Sequence, residues 1–203
     1  MQKILLATRN RKKCAELQAL LSDVERGLDI LTVDDVSSAL PEVVEDGDTF
    51  EANAKKKAVV LAQASGYMTL ADDSGLCVDA LDGAPGVRSA RFAGENADDA
   101  ANNALLIQRL QSVTDRAAHF VCVLALALPN GECQTVSGAC HGTLLRAPRG
   151  ASGFGYDPLF VPNGYTCTFA EMESAEKQRI SHRAKALLAA REKWVVDGCF
   201  RML

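Results

Sequence analysis

Apolar residues recur along this chain with two periods, and the two periods divide it into strands and helices. A run at 3–7 reads as a buried strand. Residues 12–21 follow as a helix, with Cys14, Leu17, Leu20 and Leu21 on one face. The window 49–64 reads as a second helix: Asp48 or Thr49 can cap it, Glu51 lies in its first turn, and Gly66 ends it. Two strands are expected at 67–71 and 76–81, then a third helix at 98–110. The runs 118–128 and 133–141 flank Pro129-Asn130-Gly131-Glu132 and form a long hairpin. Residues 149–158 make a glycine-rich loop, and 181–196 a last helix carrying Leu187, Leu188, Arg191 and Val195. Early strand–helix alternation followed by a hairpin predicts an α/β fold with a mixed sheet. No repeat, low-complexity tract or Pro/Ser-rich linker interrupts it, so residues 1–203 are expected to be a single domain.

Composition narrows the function classes. The chain has 203 residues, 48% of them hydrophobic, which suffices for a sizeable core. Its formal net charge of -4 provides no bulk positive field for nucleic acid, so any anion site must be local. The apolar start is too short for a secretion signal, and no run approaches the ~20 apolar residues of a membrane span. A cytoplasmic protein without membrane contact is expected. The seven cysteines, at 14, 77, 122, 133, 140, 167 and 199, form no CxxC pair, which argues against zinc and for reduced, mostly buried thiols.

Five stretches can carry chemistry. Thr8-Arg9-Asn10-Arg11-Lys12-Lys13 lies where the first strand meets the first helix. Cations there oppose the helix dipole unless a bound phosphate reverses the sign. Thr8 and Asn10 can add a hydroxyl and an amide; the same residues also suit a solvated basic helix start. GxxxxGK[ST] is missing, so this is no P-loop. Asp72-Asp73-Ser74-Gly75 follows an apolar strand, at the carboxyl end where α/β sheets bind ligands. A carboxylate there can hold Mg²⁺ and activate a water, or the four residues can simply make a turn. Glu45 can add a second metal carboxylate if its loop folds beside Asp73. Glu51 and Lys55 stand at the i,i+4 ion-pair spacing on a capped helix with a solvated face, whereas Asn53 is not needed for capping. In 150–158, three glycines allow close backbone approach, Phe154 and Tyr156 offer faces on which a base can stack, and Asp157 can accept from a base edge; a plain surface loop is the alternative. Ser181 can cap the last helix, placing His182 and Arg183 in its first turn as donors to a base carbonyl or a phosphate, or merely at the surface.

Together and in order, these stretches resemble the inosine triphosphate pyrophosphatase, or dITP/XTP pyrophosphatase, family. Ala84-Pro85-Gly86-Val87-Arg88-Ser89-Ala90-Arg91 adds a further match, and the resemblance spans residues 4 to about 190. It implies Mg²⁺-dependent cleavage of deaminated purine nucleoside triphosphates to monophosphate and pyrophosphate. By resemblance Thr8, Asn10 and Lys13, with Arg9, Arg11 and Lys12 beside them, hold the triphosphate. Asp73 is proton acceptor and metal ligand, and Glu45 a second ligand. Ser74 contacts substrate. Phe154, Gly155, Tyr156, Asp157, Lys177, His182 and Arg183 contact the base. The resemblance further implies a homodimer, and a long mixed sheet flanked by helices, with a cleft between two lobes. Many bacterial members read Thr-Gly-Asn-x-Gly-Lys in the first stretch; here Arg9 and Lys12 replace the glycines. A nucleotide-binding module without turnover and a phosphohydrolase of other specificity remain the rivals.

Overall fold

The computed structural model describes residues 2–22, 28–36 and 40–196. Six strands form one mixed sheet in the order β2-β1-β3-β4-β5-β6. They are β1 (Gln2–Leu6), β2 (Leu28–Thr32), β3 (Met68–Val78), β4 (Ala117–Ala127), β5 (Cys133–Leu144) and β6 (Phe160–Pro162). β1 runs parallel to β2 and β3, whereas β5 and β6 are antiparallel. The helices are α1 (Arg11–Ser22), α2 (Phe50–Ser65), α3 (Asp99–Arg109), α4 (Ser174–Ile180) and α5 (His182–Val196).

Local chemistry accounts for several of these boundaries. The Thr49 side chain accepts the Ala52 N–H at the start of α2, and Gly66, at φ 72°, takes the left-handed conformation that ends it. Asp98 caps α3 in the same way, through the Ala101 N–H. The β4–β5 turn closes on Leu128 and Glu132, too short a connection for anything but an antiparallel pair.

The described chain forms two compact units, each with its own core. The first comprises the described residues within 1–73, 122–138 and 183–203. In it Leu17 and Leu21 of α1 and Leu187 and Trp194 of α5 pack on Ile4, Leu6, Leu70, Leu124 and Leu126. The second comprises 74–121 and 139–182. Its core gathers Leu76, Leu106, Phe120, Phe160 and Phe169, with Phe120 edge-on to Phe160 at 4.8 Å. Burying each such side chain stabilises the fold by about 1.5–3 kcal/mol.

The strands expected at 67–71 and 76–81 are a single strand, β3, with Asp72 and Asp73 inside it and residues 74–78 still to follow. The carboxylates therefore do not end a strand, and Asp-Asp-Ser-Gly is no turn. Residues in a strand point alternately to opposite faces. Leu70 lies in the core formed with α1 and α5, and Asp72 shares its face; Asp73 meets α2 instead. Each carboxylate is matched there by cations or an amide, so the strand continues through them. Gly75 is required by packing: a Cβ there would meet Ser89 Oγ at 2.3 Å and the Gly86 carbonyl at 2.5 Å. Sequence patterning also missed β2, β6 and α4. Among the described cysteines only Cys122 and Cys140 are buried; Cys14, Cys77, Cys133 and Cys167 are half-buried, so "mostly buried" fails, and Cys199 lies outside the described residues.

Candidate active site

Functional side chains gather in two sets, one in each unit. The first surrounds the Asp72–Asp73 pair. Asp72 is fully buried; Lys13 Nζ lies 3.4 Å and Arg183 Nε 3.4 Å from its Oδ2. Arg183 is itself buried and reaches Glu16 Oε2 at 2.7 Å through Nη1. Burial alone would lower the Arg183 pKa, but Asp72 and Glu16 beside it raise it, so the guanidinium stays charged.

On the other face, Asn53 Nδ2 donates to Asp73 Oδ2 at 3.0 Å, and Asn53 Oδ1 accepts the Gly47 N–H at 2.8 Å. The amide thus joins Asp73 to the loop that carries Glu45. Lys57 Nζ lies 3.1 Å from Glu45 Oε1 and 4.0 Å from Asp73 Oδ1, and it donates to the Asp72 carbonyl at 2.6 Å. Burial pushes the Asp73 carboxyl up to about 6, against Lys57, Lys13 and Asn53, which pull it down; Glu45 adds to the rise. A carboxylate poised there can accept a proton near neutral pH.

The basic stretch has a more definite shape than expected. Asn10 caps α1: its Oδ1 accepts the Lys12 and Lys13 N–H groups at 3.0 and 3.2 Å, and Thr8 Oγ1 accepts the Asn10 N–H at 3.2 Å. Two first-turn N–H groups are therefore already paired within the chain. Arg9 reaches the Leu40 carbonyl at 3.3 Å, while Arg9, Arg11 and Lys12 are exposed.

The second set centres on Asp157. Its Oδ2 accepts the Lys177 ammonium at 2.7 Å and the Phe154 N–H at 2.9 Å. Gly153, at φ 77°, lies so close that a Cβ would meet that same oxygen at 2.1 Å. Lys177 Nζ stands 5.4 Å from the centroids of both Phe154 and Phe169, within cation–π range. His182 is buried and stacks on Phe120, ring centroids 4.8 Å apart. Of the two rings expected to stack on a base, Phe154 is half-buried but Tyr156 belongs to the core, its hydroxyl donating to the Ser89 carbonyl at 2.9 Å. The Tyr156 ring is therefore spent on packing. Ser74 is half-buried on β3, directly after Asp73.

The sequence of this chain matches the model of the Ham1 family over residues 4–193. The chain belongs to the Ham1 family. It is 52% identical over 91% of its length to a dITP/XTP pyrophosphatase of Syntrophobacter fumaroxidans, covering 78% of that protein. It is 49% identical over 93% of its length to a dITP/XTP pyrophosphatase of Streptomyces coelicolor, covering 95% of that protein. Its fold matches the structure of a HAM1 protein from Coxiella burnetii with a TM-score of 0.85 at 39% identity, covering 98% of this chain and all of that one.

In this Ham1-family chain, the expected residues divide between the two sets. Lys13, Glu45, Asp73 and Arg183 belong to the first; Phe154, Gly155, Tyr156, Asp157, Lys177 and His182 belong to the second. Arg183, expected at the base, is engaged by Asp72 and Glu16. Lys57 was passed over as part of a solvated Lys55-Lys56-Lys57 run. The signal was available: Asn53, Lys57 and Leu61 recur every four residues, so Lys57 shares the buried face of α2 while Lys55 and Lys56 are exposed.

The two carboxylates fit a hard divalent cation. Glu45 and Asp73 both come within reach of the single Lys57 ammonium, so one cation can sense both. Among the described residues no three His, Cys, Asp or Glu form a metal cage. Mg²⁺ needs no such cage, since it usually takes one or two carboxylates and completes its shell with phosphate oxygens and water.

Proposed function

We propose that this chain is a Mg²⁺-dependent nucleoside triphosphate pyrophosphatase. It hydrolyses deaminated purine nucleotides, ITP, dITP and XTP, to the monophosphate and pyrophosphate, and so clears them from the nucleotide pool. The observation that carries the reading is Asp73: a buried carboxylate lifted to about 6, oriented by Asn53 and set beside Glu45 and Lys57. Sensing a nucleotide would not require such a group. The names of the relatives support the choice of substrate.

Asp73 and Glu45 would hold the metal, which when bound offsets the negative charge of the triphosphate. Asp73 takes a proton from a water, whose oxygen bonds to the α-phosphorus. The bond from that phosphorus to the α,β-bridging oxygen breaks, and pyrophosphate leaves with the electron pair. Lys13, held in place by Asp72, stabilises charge on the phosphates, with Thr8, Arg9, Asn10, Arg11 and Lys12 along the same stretch. Ser74 adds a hydroxyl. Phe154 offers the stacking face; Asp157, Lys177 and His182 read the base edge, and Gly155 shapes the loop that carries Phe154 and Asp157. A donor aimed at O6 accepts hypoxanthine and xanthine, and is left unpaired by the adenine amino group. We further propose one domain over residues 1–203 working as a homodimer in the cytoplasm, without nucleic acid or membrane partners. The family match supports the domain, and no helix among the described residues is long and apolar enough to cross a membrane.

The test incubates purified protein with ITP, XTP, GTP and ATP, in Mg²⁺ or in EDTA, and assays pyrophosphate against orthophosphate. Pyrophosphate from ITP and XTP, lost in EDTA, is expected. Orthophosphate would move the attack to the terminal phosphate, and binding without product would leave a nucleotide-binding module.

A further inference from the structure

The loop at 153–157 is gripped by a helix that none of the motifs above includes. Gly155 sits at φ 60°, in the left-handed region, where glycine moves among several backbone states at little cost. Two side chains of α3 select one state. The Gly155 N–H donates to Asp99 Oδ2 at 2.9 Å, and the Gly155 carbonyl accepts from Asn103 Nδ2 at 2.8 Å. Asp99 and Asn103 are four residues apart, hence on one face of the helix. Asn103 Nδ2 also donates to the Asp99 carbonyl at 2.7 Å, which fixes the amide the right way round; reversed, it would set oxygen against oxygen.

Helix α3 needs neither residue for its own start, because Asp98 caps it. The next side chain is equally committed: Asn102 accepts the Ala93 N–H at 2.8 Å and donates to the Ala90 carbonyl at 3.1 Å. Adjacent asparagines on one helix therefore hold two different loops. The Asp99 bond has an ionised acceptor, which makes it stronger than a neutral one.

We propose that Asp99 and Asn103 are positioning residues that hold the Gly155 backbone so that Phe154 and Asp157 are preset for the purine base, and that they thereby set base affinity and base discrimination. The inference rests on the base-side reading of this loop given above. Ordering the loop in advance removes an entropy cost from binding, so its loss weakens binding of the substrate. It leaves the reacting centre at Asp73 alone, so turnover at saturation is preserved.

Steady-state kinetics on ITP and ATP test this, with Gly155 amide exchange followed by NMR and folding by thermal melts. D99A and N103A should raise KM for ITP roughly 10-fold, the loss of one good hydrogen bond, with kcat within about 2-fold, and should narrow the preference for ITP over ATP. D99N keeps an acceptor oxygen and should restore most of the affinity; it also serves if D99A does not fold. N103D sets a carboxylate against the Gly155 carbonyl and should be at least as poor as N103A. D98A removes the cap of the same helix without touching the loop, and should leave KM unchanged. Equal KM effects in D98A and D99A would reduce the role to helix stability and overturn the proposal. Faster Gly155 exchange in D99A with KM unmoved would overturn it too. F154A separates the layers: if it raises KM while D99A and N103A do not, only the clamp falls, and if it leaves KM for ITP unchanged the base-side reading falls with it.

Discussion

The surroundings of Asp73 and the loop around Asp157 solve opposite problems. At Asp72 and Asp73 the backbone is a regular central strand, and what must be arranged is charge: two buried carboxylates are balanced by Lys13, Arg183 and Lys57. At 153–157 the ion pair of Lys177 with Asp157 and the Asp99 carboxylate on the Gly155 N–H flank the loop, and what must be arranged is backbone, through positive φ at Gly153 and Gly155 and side chains that grip the loop. The first region presets an electrostatic field and the second presets a shape. Substitutions should accordingly act on turnover in the first and on affinity in the second.

Four experiments bear on that contrast. The largest effect is expected from D73N, which keeps the size and the contact with Asn53 but cannot accept the proton. Pyrophosphate release should fall by roughly 10²–10⁴ while the melting temperature stays high; a folded and active D73N would remove Asp73 from the chemistry. Next comes R183M, which leaves Asp72 and Glu16 facing one cation fewer in a buried setting. A loss of about 3–5 kcal/mol in denaturant unfolding is expected, partly recovered in the double variant D72N/R183M; equal stability of wild type and R183M would mean the network holds nothing. A smaller effect concerns pH. In EDTA the Asp73 carboxyl holds its proton up to about 6 when folded, against 3.8 when free. The folded state therefore binds the proton more tightly, and that stabilisation is present below about pH 4 and lost as the pH rises through 6. At ~1.36 kcal/mol for each pH unit, wild type should lose up to about 3 kcal/mol relative to D73N across this window; parallel curves would refute the assignment. The smallest is K177M, expected to raise KM for ITP about 10-fold with kcat little changed. A kcat effect instead would break the division between field and shape.

Much of this was legible in the sequence where a local signal decides the outcome. Helix α2 is bounded by the chemistry of Thr49 and Gly66 and appears where those residues place it; α3, expected at 98–110, runs over Asp99–Arg109. The hairpin follows its Asn-Gly turn. What sequence alone could not show depends on tertiary pairing. Asp72-Asp73-Ser74-Gly75 has the composition of a turn, and only cations arriving from α1, α2 and α5 allow it to remain a strand. Lys57 looks like its exposed neighbours until the period of α2 is followed. Tyr156 looks like a platform beside Phe154, but it points into the second core. The motif residues themselves were visible; which of them do chemistry and which do packing was decided by contacts far away in the chain.

Because Asp72 and Asp73 are neighbours on β3 and look opposite ways, the register of one strand allots two jobs. β3 is aligned on β1 by the pairs Ile4–Met68, Leu5–Thr69 and Leu6–Leu70, just ahead of the acids. A shift by a single residue would turn Asp73 toward the face of Arg183 and Asp72 toward the face of Asn53, with every atom of both still present. The chain is in this sense written in a reading frame. A residue inserted between 68 and 71 would be a frameshift in space, exchanging the meaning of two identical letters, and three backbone pairings with β1 are the punctuation that prevents it.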